Sequence, residues 1–101
     1  MKMKLYKGHT RKLTFYLKKD GAAFDVTGAT IVINMEPADG GANQITDGAC
    51  VLEDAANGEI SFSPNADDFN TADLFRAQFK ITIAAKDEYS DTFEVDVLEV
   101  I

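Results

Sequence analysis

The residues of this chain that could do chemistry are few, and their neighbours do not form a catalytic set. The sole histidine, His9, has Lys7, Thr10 and Arg11 beside it, and none of them could orient it as a general base. We therefore expect an exposed turn histidine. The sole cysteine, Cys50, lies in an apolar stretch, which favours a buried small hydrophobe over a reactive thiol. With one cysteine, no intrachain disulfide can form.

Two acidic clusters offer the oxygen ligands that calcium prefers. They are Glu53, Asp54, Asn57 and Glu59 in the first, and Asp67, Asp68, Asn70 and Asp73 in the second. Neither spacing matches an EF-hand loop, so solvated turn residues are the favoured interpretation. The Gly40-Gly41 pair is not followed by the lysine and hydroxyl residue of a phosphate-binding loop. The sequence thus predicts no catalytic residue, no metal and no cofactor.

The element that must position any functional surface is the stretch over residues 24–37, in which a turn at Asp25–Gly28 leads into a strand. Ile31, Ile33 and Met35 share one parity, while Thr30 and Asn34 share the other, and this is the period of a β-strand. We expect a central strand whose odd-numbered face is buried against a second sheet. Pro37 ends the strand because proline cannot donate to the hydrogen-bond ladder.

Further strands with the same period follow along the chain. They are predicted near 2–7, 10–18, 49–53, 59–63, 74–83 and 91–101, with a weak one at 44–46. Asp20-Gly21 and Asn57-Gly58 are hairpin-turn signals. The segment 64–72 is the only candidate for a helix, of one turn at most, with Phe69 anchored in the core. Short strands at this spacing predict an all-β antiparallel sandwich of about seven or eight strands in a single domain, 1–101.

The charge is unevenly distributed along the chain. The net charge is −7, yet residues 1–20 hold seven of the ten basic residues and one acid. Such an arm could contact nucleic acid. The better interpretation pairs a basic first strand with an acidic last strand, because the first and last strands of many sandwiches are neighbours. We therefore expect no nucleic-acid partner. No stretch approaches the length of a membrane span or a signal peptide, so we expect no membrane partner and synthesis in a cytoplasm.

The order of these segments resembles the immunoglobulin-like N-terminal domain of phage baseplate upper proteins and related tail modules. The matching stretches are Tyr6–Thr10, Leu13–Leu17, Asp20-Gly21, Phe24–Met35, Asn57–Ile60 and Leu74–Ile81. His9 stands where the family often has Asp, Val26 where Leu is common, and Gln78 where Glu is common. The resemblance covers nearly the whole chain, and its motifs are mainly turn and core residues.

The resemblance implies an immunoglobulin-like fold and a non-enzymatic structural role in a virion made in the cytoplasm of a bacterial host. Since the chain stops just after the last strand, we expect a free-standing module: a baseplate or tail component, a fibre adaptor or a capsid decoration protein. Its partners would be other virion proteins in a symmetric assembly. The parity of the last strand becomes unclear at Leu98, Val100 and Ile101, so this apolar end is the candidate partner contact.

The alternative function is a carbohydrate- or host-surface-binding module. It would require a cluster of exposed aromatic side chains. The chain has no tryptophan and only three tyrosines, Tyr6, Tyr16 and Tyr89, which need not lie together.

Overall fold

The computed structural model describes residues 2–101, which form eleven strands and one short 3-10 turn. The strands are β1 (Lys2–Tyr6), β2 (Leu13–Tyr16), β3 (Lys18–Lys19), β4 (Ala22–Ala23), β5 (Thr30–Pro37), β6 (Ile45–Ala49), β7 (Val51–Asp54), β8 (Glu59–Phe62), β9 (Asp73–Ile83), β10 (Lys86–Tyr89) and β11 (Phe93–Leu98). The larger sheet has the order β1-β11-β9-β5-β6, with β10 added to β9. The smaller sheet has the order β2-β8-β7, and β3 pairs with β4. The predicted all-β sandwich is confirmed.

The first and last strands are neighbours, as the charge distribution predicts. An antiparallel arrangement was expected for the whole sandwich. The first and last strands instead run parallel, whereas the other described strand pairs are antiparallel. Lys2 lies opposite Glu94, and Tyr6 lies opposite Leu98. Strands that are distant in sequence are not joined by a hairpin, so no tight turn forces them to be antiparallel.

The core lies between the two sheets and is built from the inward parity of each long strand. Ile31, Ile33 and Met35 of β5 are at most 2% exposed, which confirms the predicted inner face. The middle of the larger sheet is nevertheless β9, and β5 lies beside the edge strand β6. In β9 and β11 the buried residues also fall on one parity: they are Phe75, Ala77, Phe79, Ile81, Phe93, Val95 and Val97.

The segment 64–72 forms a turn over residues 66–69 rather than a helix. Asn65 N donates to Asp68 Oδ2 (2.9 Å), and Asp67 N donates to Asn65 Oδ1 (2.9 Å). These bonds satisfy backbone donors locally, which is how Asn and Asp favour turns. Phe69 is 1% exposed, so the predicted anchor is confirmed.

The one helical segment is the 3-10 turn at Ala55–Asn57, which joins β7 to β8 in place of a two-residue hairpin turn. Gly58 ends it in the left-handed region, with φ of 74°. Among residues 2–101, no helix has the length and apolarity needed to cross a membrane.

Candidate functional site

The predicted contact residues lie at the end of β11, where the chain leaves the larger sheet. Leu98 is on the outer face of that sheet, partly buried, and its carbonyl accepts a hydrogen bond from Lys7 N (2.8 Å). Val100 and Ile101 follow the strand, and Val100 is 62% exposed. Leu98 is therefore part of the sheet, while Val100 and Ile101 extend beyond it.

Two further apolar residues lie beside Leu98 on the outer face. Tyr6 is opposite Leu98 in register and is 62% exposed. Leu74 is opposite Asp96, which is two residues before Leu98 on β11. We call Tyr6, Leu74, Leu98 and Val100 the Tyr6 patch. Sequence reasoning missed Tyr6 and Leu74, although the outward parity of the first strand was a signal for Tyr6 once the first and last strands were paired.

Next to the patch, charged residues of alternating sign cross the outer face of the larger sheet. Strand register places Lys2, Glu94, Arg76 and Glu36 in one row from β1 to β5. Arg76 Nη2 lies 2.6 Å from Glu36 Oε1. Exposed pairs of this kind each contribute about 0–1 kcal/mol, and like charges directly opposite would be unfavourable. The row therefore helps set strand register and gives the Tyr6 patch a charged border on this face.

The same end of the sandwich is held by contacts between loops. Gly8 N donates to the Phe69 carbonyl (2.8 Å). Gln44 Nε2 donates to the Asp67 carbonyl (3.0 Å) and to Asn70 Oδ1 (2.9 Å). These bonds join the loops that follow β1, β5 and β8, so the patch rests on a connected frame.

His9 belongs to this frame, and the expectation of an exposed histidine was wrong. It is partly buried, and its ring lies edge-on to Phe69 with centroids 6.3 Å apart. Nε2 is buried without a hydrogen-bond partner among residues 2–101. The packing of the loop on Phe69 draws the ring inward, which local sequence could not reveal.

The two acidic clusters are engaged in protein contacts. Lys12 Nζ (3.0 Å) and Ser61 Oγ (2.9 Å) both donate to Glu53 Oε2, and these hydrogen bonds, with the charge of Lys12, lower the pKa of Glu53. Asn57 Nδ2 donates to Asp54 Oδ2 (2.9 Å). In the part of the chain that the structure describes, no three acidic, histidine or cysteine side chains are arranged to hold a metal ion.

Cys50 lies between β6 and β7, where the chain passes from one sheet to the other. Its backbone N donates to the Ile31 carbonyl (3.0 Å), and the side chain packs against the core. Burial raises the pKa of the thiol to about 12. A thiol that stays protonated is a poor nucleophile, in line with the predicted role as a small hydrophobe.

A comparison with protein families decides the relationship. The family model of the BppU N-terminal domain, a domain of phage baseplate upper proteins, matches residues 2–99. The chain belongs to this family. No curated protein matches the chain. The BppU N-terminal domain is a phage baseplate structural domain, so membership implies a place in the virion and association with other virion proteins.

The turn motifs that carried the resemblance have clear structural roles in this BppU N-terminal domain. Thr27 N and Thr27 Oγ1 both donate to Asp25 Oδ1, at 3.0 and 2.6 Å. This local closure turns the chain into β5, and it lowers the pKa of Asp25. The motif therefore stabilises a turn of the fold.

The three tyrosines of the domain lie on separate strands. Tyr6 is on β1, Tyr16 on β2 of the smaller sheet and Tyr89 on β10. Each is more than half exposed, and among the described residues none pairs with another aromatic ring. The observed aromatic clustering is therefore in the core and in the contact between His9 and Phe69.

Proposed function

We propose that this protein is a non-enzymatic structural component of the phage baseplate, and that it docks onto neighbouring virion proteins through the Tyr6 patch and Ile101. The observation that carries the proposal is the patch itself. Tyr6 and Val100 are each 62% exposed, the partly buried Leu74 and Leu98 lie at the same end of the outer face, and the ion pairs Lys2–Asp96 and Arg76–Glu36 lie on that face. Contiguous exposed apolar residues with a polar rim are typical of protein interaction sites.

The frame around the patch supports docking as a rigid body. The loops that follow β1, β5 and β8 are hydrogen-bonded to one another, so little ordering would accompany binding. The apolar area is small, and a single contact would be weak. Repetition in a symmetric assembly would supply avidity.

The experiment compares two exposed valines. Val100→Asp places a charge in the Tyr6 patch, and Val51→Asp places the same charge on β7 of the smaller sheet, where Val51 is 56% exposed. Light scattering first shows the oligomeric state of each free protein. Binding to purified baseplates and to whole phage particles is then measured by co-sedimentation. Because burial of a valine is worth about 1.5–3 kcal/mol, Val100→Asp should weaken binding by about tenfold or more.

The matched control, Val51→Asp, should bind as the wild type does. Equal binding by both variants would contradict docking through this patch. Binding to whole particles but not to purified baseplates would place the protein elsewhere in the virion. Binding to a glycan array without binding to particles would favour the host-surface alternative.

A further inference from the structure

The free edges of the two sheets differ in how they resist pairing with another strand. The outward positions of β1 carry Lys2 and Lys4. In the larger sheet, β6 has a register shift and a left-handed residue, Asp47 (φ 51°). In the smaller sheet, β7 has a register shift between Leu52 and Asp54. Charges and bulges of these kinds discourage edge-to-edge association.

The remaining edge of the smaller sheet, β2, has none of these features. Its residues Leu13–Tyr16 pair with β8 in an even register, and the strand contains no charge and no proline. Tyr16 is 66% exposed. The backbone of β2 is therefore a regular and unprotected template for a further strand.

The free side of β2 borders a groove of about 530 Å³. One wall is residues 14–18, and the other is residues 90–93, which lead into β11. The floor is a cluster of Phe15, Phe79 and Phe93, whose ring centroids lie 5.0–5.8 Å apart. The groove exists because the three strands of the smaller sheet pack on the five strands β1, β11, β9, β5 and β6 of the larger sheet and leave part of that wider face open.

The backbone of β2 presents hydrogen-bonding groups to this groove. Leu17 N donates to the Gly58 carbonyl (2.8 Å), so the odd-numbered residues point their backbone groups toward β8. Successive residues of a strand point to opposite edges. Thr14 and Tyr16 therefore direct their N–H and C=O groups to the free edge.

The charges at the ends of β2 select the occupant. Arg11 and Lys12 precede the strand, and Lys18 and Lys19 follow it. Lys12 and Lys19 are paired with acids of this chain, whereas Arg11 and Lys18 form no ion pair within residues 2–101. An antiparallel second copy centred on Phe15 would bring Lys12 opposite Lys18, and like charges directly opposite are destabilising. An incoming strand with acidic ends would be complementary.

We propose that β2 accepts an extended segment of a partner protein as the fourth strand of the smaller sheet. The segment alternates β-branched side chains over the phenylalanine floor with outward polar ones, and it carries acidic residues at its ends. Backbone hydrogen bonds to Thr14 and Tyr16 supply affinity, and the groove supplies selectivity, as in other cases of strand addition. This contact is separate from the Tyr6 patch.

The test uses a synthetic peptide, Asp-Asp-Val-Thr-Val-Thr-Val-Asp-Asp, added to the isotopically labelled full chain and followed by NMR. Amide signals of β2 and of residues 90–93 should shift, and hydrogen exchange at Thr14 and Tyr16 should slow. The variant Thr14→Pro blocks the edge without removing a bond to β8, because its nitrogen faces the groove. It should abolish these shifts. Val100→Asp is the matched control and should leave them unchanged.

A charge exchange keeps the test decisive if Thr14→Pro fails to fold. Lys18→Glu should weaken binding of the acidic peptide by about threefold and strengthen binding of a lysine-ended version to the same extent. Absence of shifts at about 1 mM peptide would overturn the proposal. Unchanged binding by a folded Thr14→Pro, no effect of Lys18→Glu, or self-association of the free protein through β2 would also overturn it.

Discussion

Replacing Gly58 with alanine should destabilise this domain more than any other substitution of a glycine by alanine at a turn. Gly58 has φ of 74°, a conformation that costs an ordinary residue about 1–2 kcal/mol. A Cβ atom here would lie 2.5 Å from the Leu17 carbonyl oxygen and 2.7 Å from the Phe24 carbonyl oxygen. Both contacts are with backbone, so no side-chain rotation can relieve them.

The clash falls where several segments are tied together. Gly58 O accepts from Leu17 N (2.8 Å), Phe24 N donates to Leu17 O (3.0 Å), and Val26 N donates to Ala55 O (2.8 Å). Moving Gly58 away from the two carbonyls would stretch these bonds, each worth about 0.5–1.5 kcal/mol. Together with the backbone conformation, we expect a loss of about 3 kcal/mol or more. This is a large part of the roughly 5–15 kcal/mol that stabilises a domain.

Gly21→Ala is the matched control. Gly21 has φ of 80°, nearly the same backbone conformation, but nothing lies within 4 Å of a Cβ placed there. Its alanine variant should therefore lose only about 1–2 kcal/mol. Urea unfolding of both variants and the wild type measures the two losses. If Gly58→Ala loses no more than Gly21→Ala, the close approach of the two carbonyls does not stabilise the fold and this reasoning is refuted.

Two further predictions concern pH. The hydrogen bond from Lys12, and then that from Ser61, lower the pKa of Glu53. Their contribution to the stability of the domain is therefore present above the ordinary pKa of a glutamate and is lost as the pH falls through the lowered value. Acid unfolding of Glu53→Gln should lack this part of the pH dependence, and a profile identical to the wild type would contradict the prediction. Burial raises the pKa of Cys50 from 9.0 to about 12, so the stability that this group contributes is complete below pH 9 and falls toward pH 12. Between these pH values the free energy of unfolding of Cys50→Ala should fall less steeply than that of the wild type. Equal slopes would argue against a buried thiol.

Strands with a regular period were predictable because successive residues of a strand point to opposite faces of the sheet, so the positions of the apolar residues show which face is buried. In β5 and β9, apolar residues two positions apart share the buried side, and the structure confirms both faces. Phe69 was also predictable, since a large aromatic residue in a polar loop has few alternatives to burial. The opposite charges of the first and last strands correctly indicated that β1 and β11 are neighbours.

Features that depend on contacts across the chain were not predictable. The partial burial of His9 follows from its packing against Phe69, which is sixty positions away. The turn over 66–69 is closed by side chains of Asn65 and Asp68, and these residues are equally common at the start of a helix. Tyr6 joins Leu98 only because β1 and β11 run parallel.

By itself, the sequence determined the all-β class, the inner faces of the long strands and the resemblance to the baseplate family. These properties are local, because alternation and turn residues act over a few positions. Only the tertiary structure decided which strands form edges, which apolar residues share the Tyr6 patch, and that the groove beside β2 is open. Sheet order and strand direction are set by long-range pairing, and a period of two is the same on a central strand and on an edge strand.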